Sequence, residues 1–596
     1  MSKMINLTIN GIAVSIEQSK TVLEAAEKLN ITIPVLCYHK DLCIAGNCRV
    51  CVVEQIGSQK LIPACATPVF EGMEIQTNSL VVRNSRKHII ELLLSEHNAD
   101  CTKCYKNGSC ELQELASEYK ITNSDFIDLV PLKNYKYDDL SPSIIKDDSK
   151  CIRCQRCVRT CNEIQHLSAL EVAYKGDHMK ISTFAEKPMN DVVCSNCGQC
   201  IIHCPTGALV EKNYIEEVWD ALGDPNKHVV VQTAPAVRVG LGEEFESKSG
   251  DRVTGKMVAA LKRLGFDSVL DTDFSADLTI MEEGTELLTR LKQALVDGDK
   301  KVQLPMFTSC SPGWIKFVEH TFPEYLNNLS TCKSPQQMFG ALAKTYYAQK
   351  RSIPAENIVS VSVMPCTAKK FEANRPEMRD SGYQDVDYVL TTRELAIMIK
   401  QAGIEFNNLE QDNFDKLMGN STGAAVIFGA TGGVMEAALR TAYEIVTGRE
   451  VPFKNLEILP VRGIEGIKEA SILIENPVDD WKFLDGVELK CAIAHGLENA
   501  HQLMTNLKNG KSEYHFVEIM ACPGGCLGGG GQPIPTSPEI RKKRMEAIYA
   551  EDGAMPLRKS HENPEIVQIY KEFLDKPLGH KSHKLLHTHY TPRERY

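Results

Sequence analysis

Twenty-two cysteines punctuate this 596-residue chain, and most fall in short, regular groups. CIRCQRCVRTC and CSNCGQCIIHC both read C-x2-C-x2-C-x3-C, aligning Cys151, Cys154, Cys157 and Cys161 with Cys194, Cys197, Cys200 and Cys204. Ahead of them, His97, Cys101, Cys104 and Cys110 follow H-x3-C-x2-C-x5-C, and Cys37, Cys48, Cys51 and Cys65 form a C-x2-C pair with two outliers. Far behind stand Cys310 in TSCSPGW, Cys366 in MPCTAKKFE, and Cys522 and Cys526 in EIMACPGGCLGGGGQP. Thiolates at such spacings are metal ligands. A disulfide scaffold suits short exported chains, whereas this one is long and opens on MSKMINLTING, with no basic and apolar leader.

The remaining composition sets limits. Lys and Arg total 67 against 78 Asp and Glu, a net charge of -11 that argues against a general nucleic-acid binder. No apolar run is long enough to span a membrane, so a cytoplasmic location is expected. The elements that must position the cysteines are legible in part. Ile5, Leu7 and Ile9 alternate before Asn10-Gly11, a type I′ hairpin signal, and TVLEAAEKLN reads as a short amphipathic helix. After EKNYIEEVWDALGDPNKH, apolar runs such as HVVVQTAPAVRVGLG alternate with helical stretches such as GKMVAALKRLGF, which predicts an α/β region. GATGGV and GGGG lack the Lys-Ser or Lys-Thr of a phosphate loop.

Strand, hairpin, strand and helix ahead of a cysteine loop resemble the β-grasp fold of plant-type ferredoxins, which implies a 2Fe-2S cluster on Cys37, Cys48, Cys51 and Cys65 although the first gap differs; Cys43 is spare. The His97 group could hold zinc or, as in hydrogenases and the large iron-sulfur subunit of complex I, a 4Fe-4S cluster. The two equal runs match the two-cluster ferredoxin signature, in which the fourth cysteine of each run serves the other cluster. Cys204 would then join Cys151, Cys154 and Cys157, and Cys161 would join Cys194, Cys197 and Cys200. Asn162 stands where that signature has proline after the first run.

The whole chain resembles the iron-only ([FeFe]) hydrogenases. That resemblance implies an α/β multidomain fold: residues 1–80 a β-grasp 2Fe-2S domain, 81–125 a 4Fe-4S domain with one-histidine, three-cysteine ligation, 126–214 a two-cluster ferredoxin-like domain, and 215–596 a large α/β H-cluster domain. It implies reversible interconversion of dihydrogen with protons and electrons, one 2Fe-2S cluster, three accessory 4Fe-4S clusters and an H-cluster, a 4Fe-4S cube joined to a two-iron centre with CO, cyanide and azadithiolate. Cys366 and Cys522 would hold the cube and Cys526 would bridge. Lys369 with Glu372, Met364, Met520, Ala234, Pro235, Ala236, Ser334, Gln336 and Phe428 would surround the two-iron centre. Glycines 524, 525 and 528 to 531 would let backbone approach it. The family's proton route maps onto Cys310, Glu283, Ser330, Glu286 and Arg290, although Glu286 and Arg290 also suit an exposed i,i+4 ion pair.

One position departs from the commoner family pattern. Where it has two adjacent cysteines this chain has Cys310-Ser311, which leaves Ser311, Cys310 or Cys332 as the fourth ligand of the cube. Implied partners are ferredoxin, or a flavin- and NAD(P)-binding iron-sulfur subunit with a thioredoxin-like 2Fe-2S subunit, together with maturation proteins. The alternative readings are an electron-transfer subunit like that of complex I, which lacks MPCTAKKFE and MACPGGC, and a hydrogen-sensing or iron-sulfur assembly relative.

Overall fold

The computed structural model describes residues 3–122, 126, 135–299 and 301–595. These form two compact units, one of residues 1–163, 168–190 and 203–210, the other of 164–167, 191–202 and 211–596.

In the first unit, Met4–Ile9 and Ile12–Glu17 pair antiparallel around Asn10 and Gly11, both at positive φ as a type I′ turn requires. Glu74–Gln76 then joins Met4–Ile9 in parallel and completes a five-stranded mixed sheet. The helix Val22–Lys28 packs its buried Val22, Leu23, Ala25 and Ala26 on that sheet, and its start is fixed by a capping box between Thr21 and Glu24.

The second unit is built on two four-stranded sheets. The first, Ser268–Asp271, His228–Thr233, Ile358–Met364 and Tyr388–Thr391, is wholly parallel. Every residue of Ile358–Met364 is buried, as a strand covered on both faces must be. Helices Thr254–Leu264 and Thr392–Gln401 cover one face of this sheet, and Thr272–Leu295 with Pro335–Leu342 cover the other. The second sheet runs Met306–Phe307, Phe516–Met520, Glu488–His495 and Ile467–Leu473, antiparallel only at its last pair. Helices Gly433–Thr447 and Pro538–Ala554 contribute to the core around it. They are joined by a buried ion cluster, in which Arg440 reaches Glu436 at 2.6 Å and Asp552 at 2.9 Å. The α/β multidomain expectation therefore holds. Among the described residues no helix is long and apolar enough to cross a membrane.

Candidate active site

Four of the parallel-paired strands stop at one place. His228–Thr233 runs into Ala234 and Pro235, Ile358–Met364 into Pro365 and Cys366, Met306–Phe307 leads to Cys310, and Phe516–Met520 leads to Cys522. Residues just past the carboxyl ends of parallel strands are free of the ladder and converge on a crevice, where open α/β sheets bind ligands. The crevice here holds a cavity of about 80 Å³. Its wall includes Cys310, Ser311, Cys366, Cys522 and Cys526, with Ala234, Pro235, Gln336, Met364, Lys369, Phe428 and Met520.

Lys369 is held in place by its surroundings. Its ammonium donates to Glu372 Oε2 at 2.9 Å and to the Cys310 carbonyl at 3.1 Å. The same carboxylate oxygen accepts from Ser334 Oγ at 2.8 Å and Gln336 Nε2 at 3.1 Å. Ser334 and Glu372 are thus absent from the cavity wall and bear on it by fixing Lys369. Ala236 also lies off the wall: it packs against Gly429, and its carbonyl accepts from Gln532. Pro312, Ala368, Ala521 and Thr272 line the cavity too, and nothing in their types marked them beforehand.

Burial pushes the Cys366 thiol up, Cys526 up to about 12, and Cys522 well above the usual range, while the Lys369 ammonium pulls Cys366 and Cys526 back down. Such thiols give up their protons only to a metal, so binding one would release them. Cys366, Cys522 and Cys526 on a largely apolar wall beside a fixed cation fit an anionic iron-sulfur group. Ser311 supplies oxygen in a fourth position on the wall, and its Oγ accepts from the Ala521 N–H at 3.2 Å. Cys332 is not on the wall. It is fully buried elsewhere, with its sulfur 3.9 Å from Glu286 and 4.0 Å from His587, so the geometry does not favour it as the fourth ligand.

The glycines also meet protein backbone. Gly525 and Gly529 line the cavity, but a Cβ on Gly529 would meet the Pro365 carbonyl at 2.0 Å and one on Gly530 the Cys197 carbonyl at 2.3 Å. They are needed chiefly because backbone packs on backbone. That packing sets the 522–531 loop against the segment bearing Cys194, Cys197 and Cys200, and Cys197 itself reaches the cavity wall.

From Cys310 a line of buried groups leads away. Burial raises its thiol well above the ordinary value, and the nearby Glu283 carboxyl adds to the rise. Glu283 is buried, and it is pushed up to about 8 by burial and then by the charge of Glu286, while the Ser330 hydroxyl and the Ser309 backbone pull it back down. Ser330 Oγ donates to Glu286 Oε2 at 3.0 Å, and Arg290 Nη2 donates to Glu286 Oε1 at 2.6 Å. The i,i+4 pair therefore exists, but its side chains are only 13% and 9% exposed, so it is not a solvated surface bridge.

In the first unit, Cys51 and Cys65 have sulfurs 3.3 Å apart, and Cys37 interacts with Cys48 and Cys65. Cys151, Cys154, Cys157 and Cys204 line one small cavity. Cys161 is buried in the first unit, and Cys194 and Cys200 are buried in the second. Cys101, Cys104 and Cys110 are half-buried, while His97 is lowered to about 4 by burial and keeps a buried Nδ1 with no hydrogen-bond partner. A neutral imidazole with a bare nitrogen suits a metal ligand.

Comparison with known proteins agrees with this arrangement. Residues 227–530 match the iron only hydrogenase large subunit, C-terminal domain, and 538–593 the iron hydrogenase small subunit. Residues 2–79 match a 2Fe-2S iron-sulfur cluster binding domain, 86–125 the NADH-ubiquinone oxidoreductase-G iron-sulfur binding region, and 141–210 the ferredoxin-like domain of NADH-quinone oxidoreductase subunit 3. The NADP-reducing hydrogenase subunit HndD of Solidesulfovibrio fructosivorans is 52% identical over 99% of this chain and 100% of its own length. Iron hydrogenase 1 of Clostridium pasteurianum is 41% identical over 98% of this chain and 100% of its own. A solved variant of the hydrogenase HydA1 from Chlamydomonas reinhardtii superposes with a TM-score of 0.58 at 44% identity, covering 64% of this chain and 99% of that one.

Proposed function

We propose, from the premise that this chain belongs to the iron-only hydrogenase family, that it interconverts dihydrogen with protons and electrons at the cavity walled by Cys366, Cys522 and Cys526. The group assigned to that cavity, a 4Fe-4S cube joined to a two-iron unit with CO, cyanide and azadithiolate, supplies when bound the two-electron chemistry of dihydrogen. The observation that carries the assignment is the three thiols, drawn from two separate strand ends, on one apolar wall beside Lys369.

Cys366, Cys522 and Cys526 would hold that group, with Ser311 as a further donor, favoured because it shares the wall with them. Lys369, pinned by Glu372, Ser334 and Gln336, presents a charge-assisted donor to the two-iron unit. Met364, Met520, Phe428, Ala234 and Pro235 exclude water. Protons move between the cavity and the surface by Cys310, Glu283, Ser330 and Glu286, with Arg290 at the outer end. A carboxyl held up to about 8 can both give and take a proton near neutral pH, as an inner relay group must.

Residues 1–80, 81–125 and 126–214 are read as a 2Fe-2S domain, a His97-ligated 4Fe-4S domain and a two-cluster domain. Their clusters would carry electrons one at a time, and Cys197, an expected accessory-cluster ligand, reaches the cavity wall. The electrons are exchanged with ferredoxin or with an NAD(P)-linked flavoprotein partner, and the 52% identical relative, named as a subunit of an NADP-reducing hydrogenase, favours the NADP-linked setting. The test is anaerobic purification after expression with and without the two-iron maturation proteins. Dihydrogen turnover is expected only with them, at equal accessory iron. Turnover without them, or none in fully matured protein, would reject the assignment. A lone active band from the native host, served by ferredoxin and free of flavoprotein, would reject the complex.

A further inference from the structure

The helix Thr272–Leu295 carries one more buried glutamate, Glu282, beside Glu283. Glu282 Oε1 accepts from Tyr570 Oη at 2.6 Å, and Oε2 accepts from the Leu578 N–H at 2.8 Å. His587 Nε2 lies 3.1 Å from Oε2. Because the carboxylate serves only as an acceptor here, it holds the proton of a neutral His587 on Nε2 and leaves Nδ1 bare. That nitrogen is 2.8 Å from Thr331 Oγ1, which is 3.2 Å from Glu286 Oε2. Arg290 donates to the other oxygen of Glu286, while Oε2 faces the hydroxyls of Ser330 and Thr331 and also accepts from the Thr331 N–H at 3.0 Å. The junction is fixed by backbone pairing: Lys333 N donates to the Leu586 carbonyl at 2.8 Å, and Thr588 N to the Thr331 carbonyl at 2.7 Å.

We propose that Glu282, His587 and Thr331 form a proton-loading branch on the route, in which His587 stores a proton exchanged with Glu286 through the Thr331 hydroxyl. The step balances without electrons. The Glu286 carboxyl proton passes to Thr331 Oγ1 as the hydroxyl proton passes to His587 Nδ1, leaving a carboxylate and an imidazolium; reversal restores both. Glu282 stabilises the imidazolium as its buried counter-ion. The groups facing His587 are Glu282 and Glu286 from the long helix, Thr331 and Cys332 from the crossing loop, and the exposed His583 ring stacked on it at 4.6 Å. Each dihydrogen consumes or yields two protons, while a single-file route passes one at a time. A store one hydroxyl away from Glu286 supplies the second.

The branch rests on the relay reading above, and E286Q separates the two. Full-length matured holoenzyme is compared with T331V, H587Q, the double variant and E286Q. T331V keeps side-chain shape, the backbone pairing and the N–H that Thr331 donates to Glu286. T331V and H587Q are each expected to slow turnover roughly three- to tenfold, short of the 10²–10⁴ that a main-route acid contributes. Both should erase the same imidazole inflection from the pH profile, and the double variant should be no slower than either. In protein lacking the two-iron unit, pH-difference infrared spectra should show linked imidazole and carboxyl bands that vanish in T331V as in H587Q. Wild-type pH behaviour and bands in T331V, whatever H587Q does to stability, would mean that the triad only pins the C-terminal segment and overturns the branch. If E286Q slows turnover while T331V and H587Q do not, the branch alone fails; if E286Q has no effect, the relay fails with it.

Discussion

Replacing Glu283 with glutamine should make the second unit relatively more stable as pH rises. The carboxyl is held up to about 8 from an ordinary value of 4.5, by burial first and the Glu286 charge second. Below pH 4.5 the group is protonated folded or unfolded and contributes no pH-dependent term. Between 4.5 and 8 the unfolded chain releases the proton and the folded one keeps it, so stability falls as pH rises; above 8 the loss levels off at roughly 5 kcal/mol. Between pH 6 and pH 9 the wild type loses roughly 3 kcal/mol on this account, and E283Q loses none of it. The amide of E283Q leaves buried donors without partners at about 1–3 kcal/mol, but that cost is the same at both pH values and cancels from the comparison. All three tryptophans, Trp219, Trp314 and Trp481, belong to the second unit, so fluorescence in anaerobic urea titrations reports on that unit alone. A variant-minus-wild-type difference that is flat from pH 6 to 9 would show that Glu283 ionises like any exposed carboxylate, and the relay argument built on its proton affinity would go with it. Turnover in E283Q should also fall by about 100-fold or more, since an amide carries no exchangeable acid proton.

Ser311→Ala should lower the iron bound at the cavity while Ser311→Cys retains it, and Cys332→Ser should leave it unchanged, all measured by metal content against constant accessory clusters. Equal iron in Ser311→Ala would remove Ser311 from the donor set. Arg440→Met strips the counter-charge from Glu436 and Asp552, both fully buried, and should destabilise the second unit by about 3–5 kcal/mol in the same fluorescence titration. A loss under about 1 kcal/mol would show that Arg462 and Arg558 alone satisfy those carboxylates.

What could be read from the chain depended on how local the chemistry is. A C-x2-C run brings its sulfurs together through a few residues of backbone, so the ligand groups stand out by spacing alone. Asn10-Gly11 announced its hairpin for the same reason, because only a few residue types accept positive φ at both central positions. Cys310, Cys366 and Cys522 have no such mutual spacing; what unites them is that their strands end together, which the resemblance supplied and periodicity could not. The Glu282, Thr331 and His587 junction was missed altogether. Its members are 256 and 305 residues apart along the chain in two of its contacts, and His587, one of four histidines in HKSHKLLHTHY and just past the helix His580–Leu586, carries no local mark of its own. In the glycine-rich loop the residue type is legible from the chain, whereas the backbone segments that crowd it, such as Pro365 and Cys197, are distant in sequence.

The central claim is that Cys526 and the wall around it anchor a two-iron unit. Infrared spectra of fully matured protein and of Cys526→Ala, at matched accessory iron, test it most directly. The account predicts metal-carbonyl and metal-cyanide bands in the first and their loss in the second; bands missing from the first, or surviving unchanged in the second, would contradict it.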